Sequence, residues 1–401
     1  MRPIKRLIQL DEALRLVRER SEPIDRTEEI PIGDSVGRVA AKDVVSRISV
    51  PPFARAAMDG YAVRAKDTYR ATKTSPTRMR VVEQIFAGNV AKDSISKEES
   101  SEIATGAMLP KGADAVVMVE DTELEKGEVV FTTPVHPGQN VSRKGEDMTP
   151  GTKVLAKGEL LNPSKIGALA AIGRATVTVY AKPVVGIVPT GNEVAPLGSK
   201  LGSGQVYDIN SHTLAAVVES NGGIAERLGI VEDTLGALSR VVRQGAGCDI
   251  LVFSGGSSVG ERDIMLDVLE KEGEVIFHGI AVKPGKPTLF GLIGKQLVFG
   301  MPGYPTACLS NAYIMLRPVL RRIARLPENP PASVRARMSK RFVSTTGRTQ
   351  FLTVRLMNGV AAPAFKESGA ITSMAFADGY VVIPADVDLL EKDEEVTVYL
   401  L

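Results

Sequence analysis

The sequence contains few of the residues that mark disulfide-rich, zinc-binding or nucleic-acid-binding proteins. Its 401 residues include no tryptophan, two cysteines and three histidines, and the formal net charge is only +2. Cys248 and Cys308 are too few and too far apart for a disulfide framework or a zinc-binding spacing. Because basic and acidic residues are nearly balanced, the net charge does not indicate a nucleic-acid-binding protein.

Membrane, secretion and common catalytic signals are also missing. No run of about 18 apolar residues predicts a transmembrane helix, and the charged N-terminus lacks the apolar core of a secretory signal. The sequence has no HExxH zinc motif, no G-x-S-x-G elbow, and neither a GxGxxG motif nor a Walker phosphate loop. We therefore expect a soluble, cytoplasmic protein that binds neither membranes nor nucleic acids.

The hydrophobic pattern divides the chain into regions of different character. Residues 1–50 begin with a predicted amphipathic helix, and residues 53 to about 143 alternate short β-rich runs with turns, which predicts a small β domain. The Pro-rich segment Leu326–Ala332 is a stiff linker. Beyond it, Val334–Leu401 is predicted to form a separate β domain.

Strand-like and helix-like segments alternate between residue 182 and the linker. This alternation predicts an α/β domain with a mainly parallel, doubly wound sheet, in which ligands bind at the carboxyl ends of the strands. The predicted strands are Val184–Val188, Ala225–Val231, Ile250–Phe253, Val275–Phe277 and Leu297–Phe299, and the predicted helices are Ser211–Ser220, Leu235–Val242, Ile264–Leu269 and Thr306–Ala324.

Glycine-rich turns follow strands of this region: SGGSSVGERD (Ser254–Asp263), KPGKP (Lys283–Pro287) and GMPGYP (Gly300–Pro305). Glycine lets the backbone approach a ligand closely, and a helix N-terminus offers free N–H groups, so phosphate is the expected guest. Lys283 and Lys286, on a turn stiffened by proline, would add positive charge. Taken alone, a glycine-rich turn is also explained as a tight strand-to-helix connection. The two lysines, taken alone, are also explained as solvated surface side chains.

Acidic residues also follow strand ends, namely Glu193 in PTGNEV, Asp233 and Asp263. Carboxylates can hold a divalent cation, and three from neighbouring strand ends would converge on one edge of the sheet. Each of these acids, taken alone, is more often a helix cap. Asp208 precedes a predicted helix and is explained simply as a turn residue.

The N-terminal half holds three further polar motifs. Asp59 lies in FARAAMDGYAV, Thr105 in IATGAMLPKGADAVV and Asp147 in RKGEDM. Spacing alone favours an ordinary Asp–Gly turn at Asp59, and none of the three motifs identifies chemistry by itself.

In chain order, these motifs resemble the molybdopterin molybdenumtransferase family, the molybdenum-insertion enzymes of molybdenum cofactor biosynthesis, which are related to the E domain of gephyrin. The matching segments, from residue 51 to 305, are PPFARAAMDGYAV, IATGAMLPKGADAVV, RKGEDM, PTGNEV, YDIN, SGGSSVGERD, KPGKP and GMPGYP. With the terminal regions, the likeness covers essentially the whole chain.

The resemblance implies an elongated homodimer of four-domain chains. The active site is expected between the α/β domain of one subunit and the inserted domain of the other. The implied domains are a discontinuous N-terminal linker and dimerisation domain (1–50 and 144–181), an inserted β-rich domain (51–143), an α/β molybdopterin-binding domain (182–326) and a C-terminal β barrel-like domain (333–401).

The resemblance also implies roles for individual residues. The implied catalytic residues are Asp59, Thr105, Asp147, Glu193, Asp233, Asp263 and Lys283, with Glu193, Asp233 and Asp263 as the magnesium ligands. The implied substrate-binding residues are Gly191, Ser254, Gly255, Gly256, Ser257, Ser258, Gly260, Pro284, Gly285, Lys286, Pro302, Gly303 and Ser373, with Ser368 as a rival to Ser373. The chain departs from the family at Gly279, where some relatives have lysine, and at Ser257, where valine is common.

The activity implied is insertion of molybdate or tungstate into adenylylated molybdopterin, with Mg²⁺, cleavage of the phosphoanhydride and release of AMP. Transient contact with a molybdopterin adenylyltransferase and with recipient molybdoenzymes is implied as well. Two alternatives stay open: a ligand-binding scaffold without turnover, as the gephyrin relationship permits, and adenylyl transfer to molybdopterin itself.

Overall fold

The computed structural model of the chain describes residues 7–255, 264–328, 331–366 and 369–401. The chain divides into two compact units. The larger unit comprises Met1–Glu28, Gly37–Val39 and Val179–Leu401, and the smaller unit comprises Glu29–Val36 and Ala40–Thr178. Within the described ranges, no helix combines the length and the hydrophobicity that crossing a membrane would require.

The last predicted helix, Thr306–Ala324, is one helical run interrupted by a π-helical turn, Ala312–Leu316. The α-helices of the described residues are, in chain order, α1 (Leu10–Arg20), α2 (Ala65–Thr68), α3 (Pro163–Ala171), α4 (Asn210–Ser220), α5 (Leu235–Gln244), α6 (Ile264–Glu272), α7 (Pro305–Asn311), α8 (Arg317–Ile323) and α9 (Thr372–Ala375).

The smaller unit contains the predicted β domain. The strands between residues 27 and 180 are β1 (Thr27–Pro31), β2 (Val44–Val45), β3 (Arg55–Ala56), β4 (Gly60–Val63), β5 (Thr77–Ile85), β6 (Glu99–Ile103), β7 (Ala115–Met118), β8 (Thr122–Glu125), β9 (Glu128–Phe131), β10 (Val141–Ser142), β11 (Lys153–Leu155) and β12 (Thr176–Tyr180). Six of them form one sheet in the order β7-β4-β6-β5-β9-β8. Its core includes Val63, Met79, Val117 and Phe131, which are fully or almost fully buried.

The larger unit contains the predicted α/β sheet. Its strands are β13 (Val184–Pro189), β14 (Val194–Ala195), β15 (Val206–Tyr207), β16 (Ile224–Arg227), β17 (Ile250–Ser254), β18 (Glu274–His278), β19 (Val282–Lys283), β20 (Leu289–Ile293) and β21 (Gln296–Met301). The six-stranded sheet has the order β16-β13-β17-β21-β20-β18, and the pairs among its first four strands are parallel.

The strand β20 was not among the predicted strands, and it makes one edge of the sheet antiparallel. After β20, the chain turns back into β21 through a tight hairpin in which Ile293 is paired with Gln296. Two connecting residues suffice for such a hairpin, whereas a parallel connection needs a long crossover. The prediction of a mainly parallel α/β sheet is confirmed, with this antiparallel edge as a correction.

The two faces of the sheet are buried against different helices. Ile250 and Val252 of β17 belong to one core cluster, whereas Leu251 and Phe253 belong to the other. This follows from the alternation of side chains along a strand. The first cluster includes residues of α1, α4 and α8, and the second includes residues of α5 and α6.

Helix α1 packs where the sequence did not indicate. Its buried residues Ala13 and Val17 lie in the core cluster of the α/β sheet, together with Ile24. The predicted domain division groups these residues with 144–181, and that grouping stays a prediction. An amphipathic stripe shows that a helix has an apolar face, but it does not show which distant surface that face covers.

The C-terminal region is a closed barrel, as predicted. Its strands are β22 (Ser333–Met338), β23 (Phe342–Val343), β24 (Thr349–Met357), β25 (Val360–Pro363), β26 (Gly379–Ile383), β27 (Leu389–Leu390) and β28 (Glu395–Leu400). The order β24-β25-β22-β28-β26 closes through the pairing of β24 with β26, and β19 adds to β24 in parallel.

Helix α4 is capped by Asp208, which the sequence explained as a turn residue. One carboxylate oxygen accepts a hydrogen bond from the Ser211 N–H at 3.0 Å, and the other accepts from the Ser211 hydroxyl. Such caps satisfy N–H groups that the helix itself leaves unpaired. The cap fixes the start of α4, from which Asn210 projects.

We expect Asp208→Ala to lower the free energy of unfolding by about 1–2 kcal/mol, because the cap is lost. Asp208→Asn should retain most of this stability, since the amide oxygen can accept from Ser211 N–H while the Ser211 hydroxyl accepts from the amide. Urea unfolding midpoints of the two variants measure the difference. Equal midpoints for Asp208→Ala and the parent chain would show that the cap contributes nothing.

Candidate functional site

Three central strands of the larger unit end at the same level. Pro189 is paired with Ser254, and Ser254 is paired with Met301. Beyond the strands, the N–H of Thr190 donates to the Ser254 carbonyl at 2.9 Å, and the N–H of Gly255 donates to the Met301 carbonyl at 3.3 Å. The turns that begin PTG, SGG and MPG are therefore joined at their first residues.

The turns approach each other so closely that a side chain would not fit at Gly255. Gly255 has φ +110°, and an added Cβ would lie 2.2 Å from the Thr190 carbonyl oxygen. Across the third turn, Gly303 accepts a hydrogen bond from the side-chain amide of Asn210 at 2.8 Å. Asn210 thereby ties the start of α4 to GMPGYP.

Three buried polar atoms surround this junction without a hydrogen-bond partner among the described residues. They are the hydroxyl oxygens of Thr190 and Ser254 and the amide oxygen of Asn210. The three residues are 3%, 3% and 8% exposed. Buried polar atoms in native proteins are normally hydrogen-bonded, so these atoms are suited to a polar ligand. Thr190 and Asn210 are not glycines, acids or lysines, and the sequence prediction missed them.

The KPGKP turn is fixed from two sides. The amine of Lys283 donates to the Thr345 hydroxyl at 2.6 Å, and Lys283 is paired with Gln350 of the barrel strand β24. The Lys286 carbonyl accepts from Ile280 N–H at 3.1 Å. No hydrogen bond or ion pair of the Lys286 amine is found among the described residues, so this half-buried cation is available to a ligand.

Asn311, a second residue that the prediction missed, supports the same turn. It is fully buried at the end of α7, and its side-chain amide donates to the Gly285 carbonyl at 3.1 Å and to the Thr288 hydroxyl at 2.5 Å. Gly285 has φ +107°, and an added Cβ would lie 2.4 Å from the Asn311 nitrogen. Glycine is required here because the carboxamide lies directly against the turn.

The predicted acidic residues of the larger unit have different surroundings. Gly191 N–H donates to the Val231 carbonyl at 3.2 Å, so the segments that carry Glu193 and Asp233 leave the sheet side by side. Glu193 is exposed and its carboxylate lies over Gly191, whereas Asp233 is half-buried. In the described part of the chain, no three His, Cys, Asp or Glu side chains form a group that could hold a metal ion.

Several predicted site residues lie outside the described residues, namely Gly256, Ser257, Ser258, Gly260, Asp263 and Ser368. Their predicted roles stay predictions. Ser373 is described and is 0% exposed, and its hydroxyl oxygen accepts from Lys366 N–H at 3.0 Å. This hydroxyl oxygen is thus engaged by a backbone group of the chain, and its predicted contact with substrate stays a prediction. Pro284 and Pro302 are buried within their turns.

In the smaller unit, Asp59 and Thr105 form a direct contact. Gly60 of β4 is paired with Ile103 of β6, so Asp59 and Thr105 emerge at the same end of the sheet. One carboxylate oxygen of Asp59 accepts from the Thr105 N–H at 2.7 Å and from the Thr105 hydroxyl at 2.9 Å. The backbone hydrogen bond, followed by the hydroxyl, lowers the pKa of Asp59 below its ordinary value.

Asp147 lies elsewhere in the same unit. Its N–H donates to the Val50 carbonyl at 3.0 Å, and its side chain is exposed. Val50 precedes the segment that carries Asp59, so both acids belong to connected loops. Asp59 is thus more than part of an isolated Asp–Gly turn, because Thr105, in the turn after β6, orients its carboxylate.

We expect Thr105→Ala to raise the pKa of Asp59 toward the ordinary value of about 3.9, because one of the two donors is lost. Thr105→Ser should keep the lowered pKa. Carboxyl ¹³C NMR titration measures both. Since the folded pKa is the lower one, these hydrogen bonds stabilise the unit above the ordinary pKa, and that stability is lost as the pH falls through the lowered value. An unchanged Asp59 pKa in Thr105→Ala would contradict the assignment.

Comparison with known proteins covers nearly the whole chain. The family model described as MoeA N-terminal region (domain I and II) matches residues 8–173. A probable molybdopterin binding domain matches residues 186–322, and the MoeA C-terminal region (domain IV) matches residues 335–401.

Individual relatives agree with these matches. A molybdopterin molybdenumtransferase from Bacillus subtilis is 32% identical and covers 98% of this chain and 94% of its own length. One from Haemophilus influenzae is 36% identical over 79% of this chain and 78% of its own length. Two crystal structures of molybdopterin biosynthesis MoeA proteins from Pyrococcus horikoshii are also similar. The first has a TM-score of 0.85 at 41% identity, covering 98% of this chain and 99% of that one. The second has a TM-score of 0.81 at 33% identity, covering 99% and 100%.

Proposed function

The chain belongs to the molybdopterin molybdenumtransferase family of molybdenum cofactor biosynthesis, and we propose that it inserts molybdate into adenylylated molybdopterin. In this reaction the phosphoanhydride is cleaved, AMP is released and the metal remains on the dithiolene sulfurs. Tungstate is an alternative substrate, since it is an oxyanion of nearly the same size and charge. The observation that carries the proposal is the junction of three turns with unpartnered buried polar atoms. Lys283 and Lys286 lie on a further turn of the same unit.

The two lysines would hold the anionic part of the substrate. Lys286 offers a half-buried ammonium group, and the Lys283 amine is held in place by Thr345. Positive charge fixed before the reaction stabilises negative charge that develops on a leaving phosphate. Lys286 would also provide the basic group that some relatives carry at the position of Gly279, because its carbonyl contacts the neighbouring Ile280.

Backbone and side-chain polar groups of the turns would orient the substrate. Thr190 and Ser254 can each donate a hydroxyl hydrogen, and the Asn210 amide oxygen can accept one. The glycines allow phosphate oxygens to reach backbone N–H groups. These contacts favour a substrate that has both phosphate acceptors and pterin donors.

Glu193, Asp233 and Asp263 would hold Mg²⁺, which neutralises charge on the phosphoanhydride. Glu193 and Asp233 follow segments joined by a backbone hydrogen bond, and their oxygens are ligands of the kind that Mg²⁺ prefers. Mg²⁺ is commonly held by one or two carboxylates together with substrate phosphates. Two described carboxylates therefore fit a site that the substrate completes.

Asp59 and Thr105 would act from a second subunit. They are exposed, and Asp59 is held as the carboxylate by its two hydrogen bonds. A carboxylate repels an oxyanion, so Asp59 is suited to accept a hydrogen bond from a protonated oxygen of the substrate. We include Asp147 in this half of the site, and we propose a homodimer in which each site uses both chains.

Cytoplasmic location and transient partners belong to the same proposal. The expected partners are a molybdopterin adenylyltransferase, which would deliver the adenylylated substrate, and recipient molybdoenzymes, which would accept the product.

We expect purified protein to release AMP from adenylylated molybdopterin only when Mg²⁺ and molybdate are present. Lys286→Ala should lower kcat/KM by about 10²-fold, because a fixed charge near the phosphates is lost. Lys295→Ala is the matched control, since Lys295 lies in the exposed β20–β21 hairpin. AMP release is measured by chromatography. Tight binding without AMP release would identify a scaffold instead, and product formed from ATP and unmodified molybdopterin would identify adenylyl transfer.

A shared site can be tested by mixing inactive variants. Asp59→Asn and Lys283→Ala each remove one half of the site and should each be inactive alone. Co-expressed in equal amounts, they should recover roughly a quarter of the activity, because half of the dimers are mixed and each mixed dimer keeps one intact site. No recovery, with mixed dimers verified by mass spectrometry, would show that each site lies within one chain.

A further inference from the structure

The two lysines of the KPGKP turn differ in how their amines are held. The Lys283 amine donates to the Thr345 hydroxyl at 2.6 Å, whereas the Lys286 amine has no hydrogen bond or ion pair among the described residues. A lysine ammonium carries three N–H donors. Because Thr345 is the side-chain partner of Lys283 within the described ranges, two of these donors remain for the oxygens of a bound anion.

The backbone of Lys283 is fixed by the C-terminal barrel as well. Val282 and Lys283 form β19, which pairs in parallel with Thr349 and Gln350 of β24. The Thr349 N–H also donates to the Ala281 carbonyl at 2.9 Å. The main chain and the amine of Lys283 are therefore both attached to the barrel, and barrel residues set the course of the side chain between these two points.

Thr345 lies in the segment between β23 and β24, which the buried side chain of Gln350 holds in place. Gln350 is 2% exposed, and its amide oxygen accepts from the Thr345 N–H at 3.2 Å and from the Ser344 hydroxyl at 3.1 Å. The Ser344 N–H donates to the Asp388 carbonyl at 2.8 Å. Since buried polar networks with satisfied partners are rigid, the Thr345 hydroxyl is held in one place relative to β24.

A simpler role for this network is to join the barrel to the α/β sheet. The Lys283 amine would then be a structural donor, and a neutral donor would serve as well as a cation. However, the Lys283 side chain is half-buried, and two of its three donors have no partner among the described residues. The arrangement therefore favours an ammonium group that is held in place while part of its hydrogen-bonding capacity is kept for a ligand.

We propose that Thr345 and Gln350 are positioning residues, which hold the Lys283 ammonium in place before a phosphate-bearing substrate binds. The inference rests on the proposed function, because it takes Lys283 as a contact of the phosphoanhydride. Gln350 fixes Thr345 and Thr345 fixes the amine, so both residues act through the lysine. A mobile lysine must be ordered when it binds an anion, and this costs affinity that a lysine ordered in advance retains.

The test measures AMP release from adenylylated molybdopterin and, separately, the binding of inorganic pyrophosphate with Mg²⁺ by calorimetry. We expect Thr345→Val to raise KM and the pyrophosphate Kd about threefold to tenfold, the range for ordering one long side chain on binding. The value of kcat should stay near that of the parent chain, since bound substrate and transition state lose the same contribution. Thr345→Ser should restore both constants, and Gln350→Met should raise them.

Thr353→Val is the matched control, because it removes a buried hydroxyl from the strand that carries Gln350. Thr353 is 2% exposed, and its hydroxyl oxygen has no hydrogen-bond partner in the part of the chain that the structure describes. This variant should keep the KM and the pyrophosphate Kd of the parent chain. Urea unfolding midpoints verify that all of the variants are folded.

Unchanged KM and pyrophosphate Kd in Thr345→Val, or a loss that Thr345→Ser does not restore, would overturn the proposal. A lower kcat at unchanged KM would indicate less active protein, and hence a structural role. If the parent chain released no AMP while its pyrophosphate affinity still depended on Thr345, the proposed reaction would be wrong and the positioning role would stand. If the parent chain neither released AMP nor bound pyrophosphate, both would be wrong.

Discussion

The site depends on the register of three parallel strands. Pro189, Ser254 and Met301 are neighbours in one ladder, and the two backbone hydrogen bonds beyond them join the turns that follow. A shift of one residue in this register would turn the buried side chains to the wrong face of the sheet. The two core clusters therefore hold the register, and the register places the turns. The chemistry of the turns is a consequence of packing on both faces of the sheet.

Much of this arrangement could be predicted from sequence, because the signals are local. Apolar runs followed by glycine-rich turns mark β17 and β21, and alternation with helices indicates a parallel sheet whose carboxyl ends meet. Lys283 and Lys286 were found because proline and glycine flank them. The residues that fix these turns were not found. Asn311 and Thr345 contact the KPGKP turn from positions distant in sequence, and nothing near them in the chain indicates that contact.

In the smaller unit, contacts between residues distant in sequence limit the prediction even more. Asp59 looked like an ordinary turn residue, since the donor that orients it, Thr105, lies in the turn after another strand, β6. Only the family resemblance singled out the pair, and the structure supplies the physical reason: the antiparallel pairing of β4 and β6 brings the two residues together. Strand β20 was missed for a related reason, because it belongs to a hairpin that short apolar runs do not reveal. The surface that helix α1 covers was not predicted either, because an apolar stripe does not identify its packing partner.

Hydrogen exchange with and without AMP and Mg²⁺ tests most directly whether the turns form one anion-binding site. If they do, exchange should slow together in segments 189–194, 283–287 and 300–305, while the barrel strand β28 stays unchanged. Slower exchange in only one of these segments, or in none, would contradict the account, because the ladder joins the first and last of them and Asn311 and Asn210 tie the turns to adjoining helices.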